Sequence, residues 1–155
     1  MLKERLELII EYLQIQIEDC IKEHIWQDVY LHDYFPNRKY EDGGHYPSFQ
    51  FLDAFVFEDI KILAKEVSTE MIYDWMSMQS PSASHPYTHG NYFEGIDRRK
   101  SLASLLNVKG IDSGNDWGSK QKRGKERNAF WDEAIKEINQ KFDKWAKEAC
   151  NKYLR

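Results

Sequence analysis

The chain has 155 residues, a formal net charge of −4 and a hydrophobic fraction of 41%, with Trp, Tyr and Phe making up 14%. That length fits a single domain spanning 1–155, able to bury about two-thirds of its unfolded surface, so stability requires neither a metal nor a disulfide. The composition excludes a disordered chain, and no apolar run approaches the roughly 18–20 residues of a membrane span.

Residues 3–30 read as a helix. Leu6, Ile9, Leu13, Ile17, Cys20 and Ile21 recur at three- and four-residue steps, with Ile10 and Ile25 widening the stripe. Charges at Lys3, Glu4, Arg5, Glu7 and Glu11 deny this segment the apolar core of a signal peptide. Residues 48–79 read the same way, through Leu52, Val56, Ile60, Leu63, Val67, Met71, Trp75 and Met78. Ser48 would cap that helix and Pro81 would stop it. The aromatics between Phe49 and Phe57 favour strands, but the helical period runs on to Met78 and predicts a helix. A shorter helix is expected over 97–108, from Asp97 to near Gly110. The last spans 128–152, with Trp131, Ile135, Ile138, Phe142, Trp145, Ala149 and Cys150 on one face.

The expected fold is therefore all-α: a four-helix bundle with three long helices and one short. Its core would hold Leu13, Ile17, Leu63, Val67, Ile138, Phe142 and Trp145. Three connections, 31–47, 80–96 and 109–127, exceed the roughly 12–15 residues usual for a structureless loop. They carry Tyr34, Phe35, Tyr40, Tyr46, Tyr87, Tyr92, Phe93 and Trp117. An up-down-up-down bundle would put loops 31–47 and 109–127 at one end and 80–96 at the other. Cys20 and Cys150 both fall on apolar faces, which suits buried, reduced thiols and a cytoplasmic protein.

The histidines are His24, His32, His45, His85 and His89. His85 and His89 stand four apart, a spacing that serves zinc on a helix, but Pro81 and Pro86 argue against a helix there. His32 and His45 share a loop. No third spaced ligand accompanies either pair, so no metal or cofactor is expected. Asn37-Arg38 with His45 beyond it is similar to the Arg–His signature of the helical HEPN ribonucleases, which implies an RNA-cleaving pair on one helix. Pro36 and Gly43-Gly44 break any such helix here. Asp53, Asp59 and Lys61 resemble the acid–acid–lysine set of metal-dependent nucleases, which implies magnesium on the carboxylates and a strand hairpin beneath them. The helix expected over 48–79 conflicts with that resemblance. Asp112-Ser-Gly-Asn-Asp116 offers oxygen ligands but lacks the alternating acids and terminal Glu of an EF-hand.

Charge is distributed unevenly. Residues 1–30 hold seven acids and three bases, 48–79 six acids and two bases, and 97–127 nine bases and four acids. Glu4, Glu7, Glu11 and Glu18 lie on one helical ridge; Asp59, Glu66, Glu70 and Asp74 lie on another. Like pairs such as Glu7–Glu11 cost a few tenths of a kcal/mol each, offset where Glu18 can pair with Lys22. Acidic ridges, aromatic loops and the lack of a catalytic set lead to a protein-binding module. Its sharpest form is an inhibitor or immunity-type protein covering a basic toxin or nuclease, through Glu7, Glu11, Glu18, Glu66, Glu70 and Asp74 with Tyr34, Phe35 and Tyr92 as anchors. Two alternatives stand beside it. One is nucleic-acid binding through Arg98, Arg99, Lys100, Lys120, Lys122 and Arg123, with Trp117 and Tyr92 stacking on bases. The other is a metal-dependent hydrolase using His85 and His89, or His32 and His45.

Overall fold

The computed structural model describes residues 1–34, 49–64, 66–78, 99–100, 103 and 129–155. Helix α1 (Leu2–His24) forms as expected, because strong helix formers separate its apolar positions. It buries Ile9, Leu13, Cys20 and Ile21. The chain then continues in π-helical geometry over Ile25–Tyr34, ten residues in a form that normally inserts a single turn. Ile25, Val29 and Tyr30 are buried there, and Trp26 and Tyr30 pack with Phe49 at ring distances of 5.9 and 5.2 Å.

Helix α2 (Phe130–Tyr153) lies antiparallel to α1. Tyr12 donates to Glu148 at 3.1 Å near one end, and His24 meets Glu137 at 2.7 Å near the other. Ala134 and Ala149 are fully buried, small enough to let the helices approach, while Ile138 and Trp145 fill the seam.

Between the helices in sequence lies a β-hairpin. Strand β1 (Phe55–Phe57) pairs antiparallel with β4 (Met71–Tyr73), in the register Phe55↔Tyr73, Val56↔Ile72 and Phe57↔Met71. Strand β2 (Lys61–Ile62) pairs with β3 (Val67–Ser68), with Lys61 opposite Ser68 and Ile62 opposite Val67. Both ladders belong to one ribbon. Asp74 N–H donates to Ala54 O at its base (2.7 Å), Glu58 N–H donates to Glu70 O in the middle (2.7 Å), and Leu63 N–H donates to Glu66 O at the tip (2.8 Å). Between the Glu58/Glu70 and Lys61/Ser68 pairs, Asp59 and Ile60 stand against Thr69 alone, which is a β-bulge. Phe55 stacks on Tyr73 (5.1 Å) and on Trp131 of α2 (5.3 Å), and Phe51 and Phe55 meet the buried Phe130 edge-on. A 3₁₀ turn, Trp75–Ser77, follows the ribbon. Arg99 is buried against it, donating to Met78 O and lying 5.2 Å over the Trp75 ring, while Tyr73 donates to Arg99 O at 2.7 Å.

The all-α four-helix bundle is therefore corrected: among the described residues, two long helices flank a hairpin in sequence, and the alternating placement of loops falls with the bundle. The expected helix over 48–79 is, where described, this ribbon. Its dense apolar run is rich in β-branched and aromatic residues, which fit a pleated, half-buried surface. The bulge also explains a misplaced core residue. Side chains alternate along a strand, so one extra residue inverts which parity faces inward. Phe55 and Phe57 share a side before the bulge; beyond it Ile62, opposite the half-buried Val67, takes that side, and Leu63 turns outward at 65% exposure. Phe142 is also exposed on α2, as is Cys150, whereas Leu13, Ile138 and Trp145 are buried and Ile17 packs on the core margin. Of the expected short helix, Arg99, Lys100 and Ala103 are described and are helical. The loops 35–47, 80–96 and 109–127 lie outside the described residues.

Candidate functional site

Two polar constellations stand out. The first is a groove of about 460 Å³ between α1 and the hairpin. Helix α1 contributes Glu7, Glu11, Gln14 and Glu18, one stripe at helical spacing; the ribbon contributes Phe57, Glu58, Asp59 and Ile60. Among the described residues, the lining thus holds five acidic residues and no basic one. Gln14 fixes the two walls together: its amide donates to the Thr69 hydroxyl (2.8 Å), which donates to Glu58 O (2.8 Å). Lys3 approaches Glu7 at 3.9 Å from the neighbouring turn. The bulge places Asp59 in this wall. Glu70 stands opposite Glu58 in the ladder and is exposed.

The sequence-predicted partner residues divide accordingly. Glu7, Glu11 and Glu18 come together in the groove, and Glu70 lies on the ribbon opposite Glu58 and is not among the described residues that line it. Glu66 is at the exposed hairpin tip, and Asp74 is at the base of the ribbon. Tyr34 ends the π segment, its side chain outside the described residues, as are Phe35 and Tyr92. Glu58 and Asp59 were missed as groove residues, because only the hairpin brings them to α1. Lys22, expected to pair with Glu18, instead reaches across to Asp53 at 3.1 Å.

Of the alternative residues, Arg99 turns its guanidinium inward and Lys100 is exposed; Arg98, Lys120, Lys122 and Arg123 lie outside the described residues. His45, His85 and His89 lie outside them too, and so does the His32 side chain. Asp59 and Lys61 do occupy a hairpin, and Asp53 lies in the turn before it. Asp53 bridges to Lys22, whereas Asp59 follows β1 and lines the groove, so the two carboxylates have different surroundings.

The second constellation bridges α1 and α2. His24 sits between two carboxylates: Nδ1 faces Asp28 Oδ2 at 3.4 Å, and Nε2 faces Glu137 Oε2 at 2.7 Å. Lys141 bonds the other Glu137 oxygen. Cys20, one helical turn before His24, places its thiol among these groups, and its sulfur lies 4.0 Å from Ala134 O. Asp28 and Cys20 are buried, and His24 and Glu137 are half-buried. Burial, and then the Glu137 carboxylate, push the Cys20 thiol up to about 11. Such burial disfavours the thiolate, the nucleophilic form of cysteine. The hydrogen bond from Lys141, then that from His24, hold the Glu137 carboxyl below the usual carboxylate range. The Cys20–His24 spacing was the signal available in the sequence; Glu137 enters only through the pairing of the two helices.

No protein-family model matches the chain, and no curated protein or solved structure shows a significant match to it. Among the described residues, no helix is long and apolar enough to cross a membrane.

Proposed function

We propose that this chain is a protein-binding module whose acidic face receives a basic partner, an inhibitor or immunity-type protein against a basic toxin or nuclease being the most concrete form. The observation that carries this reading is the groove lined by Glu7, Glu11, Glu18, Glu58 and Asp59, with no basic residue in the lining among the described residues. Like-charged carboxylates held side by side repel one another, and a cationic partner relieves that repulsion on binding. The two free cysteines support placing this activity in the cytoplasm.

The test is affinity capture from the native host at low and high salt, with wild type beside a Glu7→Lys, Glu11→Lys, Glu58→Lys variant of unchanged circular dichroism. The expected result is a basic protein retained by wild type, released by salt and bound by the variant with an association rate at least tenfold lower, its crosslinks mapping to the groove. Micromolar binding of the purified chain to mixed RNA or DNA at low salt, lost when Lys120, Lys122 and Arg123 are changed to Glu, would overturn the reading in favour of nucleic acid.

A further inference from the structure

We propose that Cys20, His24 and Glu137 form a site for a divalent transition-metal ion of the zinc class, which clasps α1 to α2. One donor atom from each of the three residues lies within 4.8 Å of the others. A tetrahedral ion with bonds of about 2.0–2.3 Å needs its donors roughly 3.3–3.8 Å apart. The site is therefore near its required size: the His24–Glu137 hydrogen bond of 2.7 Å opens slightly, and the sulfur closes in. Cys20 and His24 stand four residues apart on one helix, so both project from the same face one turn apart. Thiolate and imidazole together select zinc-like ions over calcium or magnesium, which take oxygen ligands.

The surroundings fit a metal ligand set as well as the donors do. Metal-bound imidazoles usually give their other N–H to a carboxylate, which fixes the tautomer and the ring plane. Asp28, buried and 3.4 Å from His24 Nδ1, is placed for that role and leaves Nε2 facing Glu137. Glu137 offers Oε2 to the ion while Oε1 stays with Lys141. Cys20 binds as the thiolate and His24 through an Nε2 freed of the proton it gives to Glu137, so the thiol proton and that Nε2 proton both pass to solvent as the metal bonds form, and a water completes the tetrahedron. The His24–Asp28 pair also spans the point where α1 gives way to the π segment, a backbone form frequent at functional sites.

Cobalt(II) titrated into the full chain, with a non-thiol reductant, tests the site. The expected result is one equivalent bound, a near-ultraviolet thiolate-to-cobalt absorption, and its displacement by one equivalent of zinc. Cys150→Ser leaves Cys20 as the sole cysteine, so the absorption must survive in that variant. Cys20→Ser must abolish it, and Asp28→Asn must weaken binding by about 10- to 100-fold. Should Cys20→Ser fail to fold by circular dichroism, His24→Gln takes its place. No sulfur absorption in wild type, its loss in Cys150→Ser, or its survival in folded Cys20→Ser would overturn the site and leave the cluster as an ion-pair network.

Discussion

The seam between α1 and α2 and the junction between α2 and the hairpin hold the molecule together by different physics. Along the seam, apolar side chains and close-packed alanines leave a pocket of charge, where His24 is positioned between Asp28 and Glu137. At the junction, Phe51, Phe55, Tyr73, Phe130 and Trp131 meet ring against ring. Aromatic burial is non-directional and scales with the area removed from water. A buried acid–imidazole–acid array depends on direction and fails when one member goes. One end of this protein is thus held by volume and the other by geometry.

Four substitutions sharpen or break that contrast. Phe130→Ala empties the junction at a fully buried ring and should lower unfolding free energy by about 3–5 kcal/mol in a urea titration. His24→Ala removes the imidazole linking Asp28 to Glu137 and should cost about 1–3 kcal/mol in the same assay. A cost from His24→Ala equal to that of Phe130→Ala would mean that charge, not volume, dominates the packing. Lys22→Ala breaks the bridge to Asp53, whose side chain is 76% exposed, and should cost no more than about 1 kcal/mol, diminishing in high salt. Leu63→Ala, on the outward side of the ribbon, should stay within about 0.5 kcal/mol of wild type by thermal or urea unfolding. A loss of several kcal/mol there would place Leu63 inside and contradict the bulge.

The helices were legible in the sequence and the hairpin was not, for a reason visible in the residues. In α1 and α2, charged and polar helix formers such as Glu7, Gln14, Lys136 and Gln140 occupy the gaps of the apolar stripe, so only the helical period fits. Between Phe49 and Met78 the apolar residues fall at both parities, as in Phe55-Val56-Phe57 and Met71-Ile72-Tyr73. A stripe at three- and four-residue steps can be drawn through such a run without causing its structure. The acidic ridge on α1 was readable, but its opposite wall required the ribbon. Cys20 and His24 could be paired by spacing alone; their union with Glu137 depends on how α2 slides along α1, which no local pattern encodes.

The bulge has a bearing on self-association. Among the described residues each ladder has only two strands, so both strands of the ribbon are edges, the surfaces on which chains recruit one another into extended sheets. An unbroken ladder from Ala54 to Leu63 would present a long straight row of unpaired backbone groups. The extra residue at Asp59 and Ile60 interrupts that row midway and twists it, beside the charges of Glu58, Asp59, Lys61 and Glu70. The same irregularity that carries Asp59 to the groove therefore makes the ribbon a poor template for strand addition.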